Sequence, residues 1–141
     1  MRPDFELVVV TPEGLLFRGR VTALRLPGID GDLGVLAGHA PMVAALRCGV
    51  TRVDHAEEHA ERIATGDGYA EVRGDTTRLI VEFLNGSDDV DRDRAHGALR
   101  RAMARLVERE ESLDLARAEA ALCRAVTRLK VCGCGCSLCQ P

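Results

Sequence analysis

The chain has 141 residues, of which 46% are hydrophobic and 29% charged, a balance typical of a folded globular protein. No apolar run approaches the roughly 20 residues that a membrane-spanning helix needs, and the first ten residues lack the pattern of a signal peptide. A net charge of −3, with no Trp, one Tyr and three Phe, argues against nucleic-acid binding. The composition therefore favours a cytoplasmic protein without a membrane span of its own.

Charge is distributed unevenly along the chain. Residues 1–89 hold nine arginines against 15 acids, a net charge of −6, whereas residues 90–131 hold ten basic residues against seven acids, a net charge of +3. Residues 132–141 have no charged side chain but are rich in cysteine. Together with the pattern change described below, this predicts a first domain over 1–88, a basic second part over 89–131 and a Cys-rich tail over 132–141.

The first part consists of short apolar segments separated by turn residues. The segments run from Phe5 to Phe83, and turn signals such as Pro12 to Gly14 and Pro27-Gly28 recur along them. Pro presets one turn dihedral and Gly accepts the left-handed conformation. Turn signals spaced roughly 8–12 residues apart are typical of an antiparallel β-sandwich or barrel. The sequence therefore predicts a β-sandwich over this part.

The apolar period changes to three and four residues after position 88, which predicts helices. N-cap candidates precede each helix: Asp88, Asp89 and Asp91 for the first, and Ser112 or Asp114 for the second. The first apolar stripe comprises Ala95, Ala98, Leu99, Ala102, Met103, Leu106 and Val107. The second comprises Leu115, Ala118, Leu122, Ala125 and Leu129. Two helices joined by a short polar link predict an antiparallel hairpin.

Alanine makes up about half of the two predicted stripes. Because Ala offers little apolar surface for burial, the hairpin should dock weakly, although Ala and Arg favour helix within each segment. This favours an arm that undocks easily and unfolds with difficulty. A hairpin fixed on the sandwich is the alternative.

Two histidine and cysteine patterns could bind metal. His55 to His59 matches H-x-x-E-H, but about six residues between two predicted strands leave no room for a zinc-binding helix, which favours a polar hairpin tip. The tail holds four candidate thiolate ligands, Cys132, Cys134, Cys136 and Cys139. A metal-binding module is therefore the alternative function, and a disordered, oxidisable tail is the simpler interpretation. The two other cysteines, Cys48 and Cys123, are predicted to be small buried hydrophobes.

The most distinctive segment is Gly31 to Pro41. Three glycines within eight residues imply tight turns and close backbone approaches, and Pro41 fixes the entry into the next strand. The segment predicts a shaped loop that docks on a partner, with Asp32 and His39 as its polar contacts. Two ordinary β-turns within a sandwich are the simpler interpretation. Phosphate-binding and serine-nucleophile motifs are missing from the sequence, and no acid–base pair stands out, so an enzyme is not expected.

At this segment the sequence resembles the epsilon subunit of bacterial F-type ATP synthase, whose G-[DE]-L-G-x-x-x-G-H-A-P run is present from Gly31 to Pro41. Residues 46–53 resemble the family's strand pair around a glycine, and residues 66–72 its Gly-rich turn and short strand. Residues 116–131 resemble its Ala-rich last helix. The resemblance extends over nearly all of residues 4–131, and the Cys-rich tail departs from the family.

The resemblance implies a ten-stranded β-sandwich followed by a helical hairpin. It further implies a non-catalytic rotor subunit, peripheral on the cytoplasmic face of the bacterial inner membrane, that couples the gamma subunit to the c-subunit ring in proton-driven ATP synthesis. No cofactor is required for that role. By carry-over, the residues that face the ring are Gly31, Asp32, Leu33, Gly34, Gly38 and His39.

The resemblance also implies regulation by the hairpin, which in the family can extend along gamma and restrain ATP hydrolysis near the catalytic alpha and beta subunits. Basic residues of the second helix are candidates for contact with an acidic segment of beta, namely Arg117, Arg124, Arg128 and Lys130. Val90 to Ala95 resembles the ATP-binding [IL]-D-x-x-R-A motif of some members. That likeness gives Asp91, Arg94 and Arg101 as ATP-binding candidates. The acidic contact that the family has upstream of the motif is absent, because Asn85 stands near that place.

Overall fold

The computed structural model describes residues 2–56, 59–108 and 111–132. The chain forms two compact units, Met1–Leu84 and Asn85–Pro141. The first unit is built from strands and the second from helices, which confirms the predicted fold class.

The first unit contains ten short strands whose ends fall at the turn residues. Glycines begin four of them, and Gly28 ends another, because glycine tolerates the dihedrals that a reversal requires. The strands are β1 (Phe5–Thr11), β2 (Gly14–Val21), β3 (Ala23–Gly28), β4 (Gly31–Leu36), β5 (Met42–Leu46), β6 (Gly49–Asp54), β7 (Ala60–Thr65), β8 (Gly68–Arg73), β9 (Thr76–Val81) and β10 (Leu84–Asn85).

The strands pair in the order β10-β7-β6-β3-β5-β8-β9-β1-β2, with β4 on the other side of β3. The only registered pair between β3 and β5 is Gly28 with Leu46, so the sheet folds there into two layers. The first layer contains β5, β8, β9, β1 and β2, and the second contains β10, β7, β6, β3 and β4. β1 and β9 are parallel, which the turn pattern did not reveal. The pairs β1–β2, β3–β4, β3–β5, β3–β6, β5–β8, β6–β7 and β8–β9 are antiparallel.

Large aliphatic side chains from both layers fill the space between them. Leu7, Leu26 and Leu79 are each no more than 1% exposed and belong to a single cluster of 14 buried residues. Thr51 and Thr65 face each other within this interior, where their hydroxyls are 2.8 Å apart and hydrogen-bonded. The pair satisfies two polar groups that burial would otherwise destabilise. The core is therefore continuous from one layer to the other.

The second unit begins with a 3₁₀ turn, Ser87–Asp89, followed by α1 (Arg92–Glu108) and α2 (Leu115–Cys132). Asp91 caps α1 by accepting a hydrogen bond from the backbone N–H of Arg94 at 3.1 Å. Asp114 caps α2 in the same way, from the N–H of Arg117 at 3.1 Å. Each cap satisfies a backbone donor that the first helical turn leaves unpaired.

The hairpin core is small and lies toward the open end of the hairpin. It comprises Ala95, Leu99, Ala125, Leu129 and Cys132. The guanidinium of Arg92 donates to the carbonyl of Cys132 at 2.7 Å, which links the first turn of α1 to the last turn of α2. This bond satisfies one of the carbonyls that a helix C-terminus leaves without a partner.

Several burial predictions for the second unit and the cysteines were wrong. Met103 and Val107 are 47% and 83% exposed, and Leu115 is 47% exposed, so the apolar stripes extend beyond the buried part of the hairpin. Cys48 and Cys123 are half-buried rather than buried. A stripe read from sequence gives a helix face but not the length over which a partner helix covers it.

Candidate functional site

The segment Gly31 to Pro41 is organised by two glycine turns around β4. A Cβ on Gly28 would come within 2.6 Å of the carbonyl oxygen of Gly31, and Gly31 itself has a φ of +125°. Both positions therefore require glycine for the β3–β4 turn to close. Gly38, with a φ of +79°, forms the turn that follows β4.

Residues 31–36 form a strand with a turn at each end, so the segment contains the two turns of the simpler interpretation and is not a loop along its whole length. Asp32 lies near the start of β4, where its carboxylate is 3.4 Å from the guanidinium of Arg25. His39 lies beyond the other end of β4 and its ring is 2.7 Å from the carbonyl of Ala40. The two polar side chains are thus at opposite ends of the strand. Leu33 is half-buried against the core, and a Cβ on Gly34 would be in ordinary contact, 3.9 Å from the carbonyl oxygen of Leu24 in β3.

An exposed apolar stripe crosses the outer face of the first layer. The strand register aligns Ala45 with Tyr69, Tyr69 with Ile80, Ile80 with Val10, and Val10 with Leu15. Tyr69, Ile80 and Leu15 are 57%, 44% and 55% exposed. We call these five residues the apolar stripe. Neighbouring exposed apolar side chains on one sheet face are the surface that protein partners cover.

The second unit contains an open cavity of about 450 Å³ with a strongly basic lining. Four arginines and two aspartates face it, so the formal charge of the lining is about +2 if all six are ionised. Alanines on both helices leave the space open. The lining residues are Asn85, Asp89, Val90, Asp91, Arg94, Ala95, Ala98, Arg101, Ala121, Arg124, Ala125 and Arg128. We call this the arginine cavity.

The arginine cavity brings together two sets of residues that the sequence gave separate roles. Asp91, Arg94 and Arg101 come from α1 and its cap, and Arg124 and Arg128 come from the basic face of α2. Spacings of seven residues on α1 and four on α2 place each arginine pair on one helix face. Sequence reasoning did not join the sets, because only the hairpin pairing shows which turns of α1 and α2 face each other.

Asn85 has a defined role in this cavity. Its side-chain oxygen accepts a hydrogen bond from Nε of Arg128 at 3.0 Å. The bond orients the guanidinium of Arg128, while Asp91 is held by its capping bond to Arg94. Of the other basic candidates, Arg117 lines a separate cavity near the helix connection and Lys130 lines neither cavity.

Neither predicted metal pattern forms a ligand cluster among residues 2–56, 59–108 and 111–132, where no group of three suitable side chains occurs. His55 and His59 stack with ring centroids 5.6 Å apart, next to the β6–β7 turn, and His55 is 3.3 Å from the carboxylate of Glu61. Cys132 is buried and its thiol donates to the carbonyl of Leu129 at 3.2 Å. Cys134, Cys136 and Cys139 lie outside the described residues, so the metal-binding alternative gains no support.

Neither helix is long and apolar enough to cross a bilayer, within the part of the chain that the structure describes. The two units thus offer three surfaces: the segment Gly31 to Pro41, which we call the β4 region, the apolar stripe and the arginine cavity. All three are suited to binding.

Comparison with protein-family models gives two matches that follow the two units. Residues 4–84 match the ATP synthase Delta/Epsilon chain beta-sandwich domain, and residues 87–133 match the ATP synthase Delta/Epsilon chain long alpha-helix domain. The two matches together include most of the chain.

Curated relatives and solved structures agree with these matches. The chain is 40% identical to the ATP synthase epsilon chain of Syntrophomonas wolfei over 76% of this chain and 78% of that one. It is 42% identical to that of Pelotomaculum thermopropionicum over 90% and 94%. A chain of the Euglena gracilis mitochondrial ATP synthase OSCP/F1/c-ring structure shares the fold, with a TM-score of 0.76, 22% identity and coverage of 89% and 79%.

A chain of the Tetrahymena thermophila mitochondrial ATP synthase central stalk/c-ring structure has the same fold more distantly, with a TM-score of 0.54, 17% identity and coverage of 90% and 92%. The sandwich, the hairpin, the glycine-shaped segment and the two domain matches lead to the same assignment. The chain belongs to the ATP synthase epsilon-chain family.

Proposed function

We propose that the chain is a non-catalytic rotor subunit that joins the gamma subunit of an ATP synthase to its c-subunit ring, on the cytoplasmic face of the bacterial inner membrane. The observation that carries the proposal is the apolar stripe, an exposed row across five strands of a rigid sandwich. A rigid face with aromatic and branched apolar residues can bind a partner with little loss of conformational entropy. We assign the stripe to gamma.

The β4 region is the complementary candidate for the c-subunit ring. Its turns are fixed by Gly28 and Gly31, and its polar ends carry Asp32 and His39. Both structural neighbours come from ATP synthase assemblies that include a c-ring, which supports the assignment of the β4 region to the ring. Separate surfaces for the two partners would let the sandwich transmit torque between them.

Binding to purified gamma tests the assignment of the stripe. The double substitution Tyr69→Asp and Ile80→Asp places two charges on the face, and we expect affinity for gamma to fall at least about tenfold, equivalent to about 1.4 kcal/mol. Leu36→Asp is the matched control, because Leu36 is 62% exposed on a strand of the other layer. Unchanged gamma affinity in a folded double variant would refute the assignment.

The hairpin supports a regulatory role as a movable arm. Its core is a cluster of only five buried residues, among them two alanines and a cysteine, so opening it exposes little apolar surface. Arg117, Arg124, Arg128 and Lys130 provide positive charge for an acidic segment of the catalytic beta subunit. A reconstituted complex in which this chain ends at Ser87 should hydrolyse ATP faster than a complex that contains the complete chain. Equal rates would exclude regulation by the arm.

The arginine cavity favours a second role, the binding of ATP as a regulatory ligand. Its volume suits a nucleotide, and the arginines that line it can form bidentate hydrogen bonds to phosphates. ATP bound between α1 and α2 would stabilise the closed hairpin by mass action. Asp91 would contribute to ATP binding mainly by accepting the capping hydrogen bond from the backbone N–H of Arg94, which fixes the first turn of α1.

Calorimetry and thermal melting at millimolar ATP test this role. We expect measurable heat and a raised melting temperature for the wild type, and both effects to be lost in Arg94→Gln. Arg117→Gln is the control with the same charge change, because Arg117 does not line the arginine cavity. If the wild type shows no heat of binding and no shift in melting temperature, ATP is not a ligand of this chain.

A further inference from the structure

The outer face of the second layer carries three arginines side by side. The register aligns Arg25 of β3 with Arg52 of β6, and Arg52 with Arg62 of β7. Their sequence neighbours Leu24, Val53 and Ile63 point into the core, so the three guanidiniums are on the outside. We call these residues the arginine row. It lies on the layer opposite to the apolar stripe.

Such a row is unfavourable for the isolated sheet, because like charges at directly opposed positions repel. Two members have acidic partners: Arg25 is 3.4 Å from Asp32, and Arg52 is 2.9 Å from Asp54. Arg62 forms no ion pair with any residue that the structure describes. Exposed pairs of this kind contribute little and can be exchanged for others. The row therefore keeps an excess of positive charge.

A cavity of about 410 Å³ lies toward the ends of these strands. Arg2 and Arg52 line it, together with Asp54 and the imidazole rings of His55 and His59. On the other side of the row, Gly34 is the register partner of Arg25 and presents no side chain. A partner lying across the strands would meet no side chain from that position.

We propose that the arginine row docks an acidic α-helix of a partner protein, laid across β3, β6 and β7. Neighbouring strands are about 4.8 Å apart, so three aligned arginines span about 10 Å. Acidic residues at positions i, i+4 and i+7 of a helix span about 10.5 Å on one face. The two spacings match, and each guanidinium can bind a carboxylate with two hydrogen bonds. The arginine row shares no residue with the stripe, the β4 region or the arginine cavity, although Arg25 lies beside Asp32 of the β4 region.

An NMR titration of the ¹⁵N-labelled complete chain tests the proposal with a synthetic helical peptide that carries Glu at i, i+4 and i+7. A peptide of the same composition with the three Glu distributed around the helix is the ligand control. The striped peptide is the one whose three Glu lie on one helix face. We expect it to shift the amide resonances around Arg25, Arg52 and Arg62, and we expect the control peptide to bind at least about tenfold more weakly. Raising the salt concentration should weaken both interactions.

The protein variants separate a specific site from general charge attraction. The triple substitution Arg25→Gln, Arg52→Gln and Arg62→Gln should weaken the striped peptide at least about tenfold. The matched triple Arg18→Gln, Arg73→Gln and Arg78→Gln removes the same charge from exposed positions outside the row and should leave affinity unchanged. Equal losses in both triples would overturn the proposal. So would row-dependent binding to anionic phospholipid vesicles without a preference for the striped peptide.

Discussion

The two units of the chain bury very different side chains. The sandwich interior consists mainly of leucine and valine, with Leu7, Leu26 and Leu79 almost completely enclosed. The hairpin core is a smaller cluster, in which two alanines and a cysteine surround Leu99 and Leu129. Because stabilisation by burial scales with apolar area, the first unit should resist opening and the second should open readily. The difference agrees with the two roles proposed above, a rigid body that transmits torque and an arm that changes position.

The largest loss of stability should come from truncating a buried side chain of the sandwich core. Leu79→Ala removes a side chain that is 1% exposed, and we expect the free energy of unfolding to fall by about 3–4 kcal/mol. Urea denaturation followed by circular dichroism measures it. Leu36→Ala, at a 62% exposed position, is the control and should change stability by less than about 0.5 kcal/mol. Similar small losses for both variants would mean that the interior is loosely packed.

The equivalent truncation in the hairpin should unfold the two helices without unfolding the sandwich. Leu129 is fully buried, but its neighbours are small, so Leu129→Ala should cost about 2–3 kcal/mol and open only α1 and α2. Hydrogen exchange should then rise in both helices while the strands stay protected. Leu115→Ala, at a half-exposed position on the first turn of α2, is the control. Equal loss of protection in the strands would show that the two units unfold together.

A smaller effect tests how closely the strands of the sandwich approach one another. A Cβ on Gly68 would collide with the backbone carbonyl of Ile80, so Gly68→Ala must shift β8 or β9 and should cost about 2 kcal/mol. Gly34→Ala is the matched control, because its nearest neighbour would be 3.9 Å away and its backbone conformation suits alanine. Chemical denaturation of the two variants gives the comparison. Equal stabilities would show that the sheet adapts without strain.

The sequence predicted the fold well where a local signal exists. Turn glycines and prolines marked the strand ends, and Asp91 and Asp114 were among the N-cap candidates that the structure confirms as caps. For Gly31 to Pro41 the glycines left two interpretations open, a shaped docking loop and two turns within the sandwich. The structure has a turn at each end, and the stretch between Gly31 and Leu36 pairs with β3 along its whole length.

Features that depend on pairing between distant segments were not predictable. Arg25, Arg52 and Arg62 are separated by 27 and 10 residues, and only the strand register places them in one row. The joining of Arg94 with Arg128 in one cavity depends in the same way on how α1 faces α2. Met103 and Val107 follow the helical period correctly but lie beyond the buried contact. A single sequence shows the apolar period of each strand or helix and the residues that end it. It does not show which residues face each other across paired strands or paired helices.

The smallest effect concerns the end of the hairpin where α2 begins. Asp114→Ala removes the carboxylate that accepts from the N–H of Arg117, and we expect a loss of about 1 kcal/mol, confined to the hairpin. Asp114→Asn keeps the acceptor and removes the charge, so it should recover most of that loss, and the remainder measures the attraction of the carboxylate to the positive end of the helix dipole. Hydrogen exchange in the first turn of α2 reports both effects locally. If Asp114→Ala left that exchange unchanged, the start of α2 would be held by packing rather than by its cap, and the contrast between a firmly packed sandwich and a lightly held hairpin would weaken.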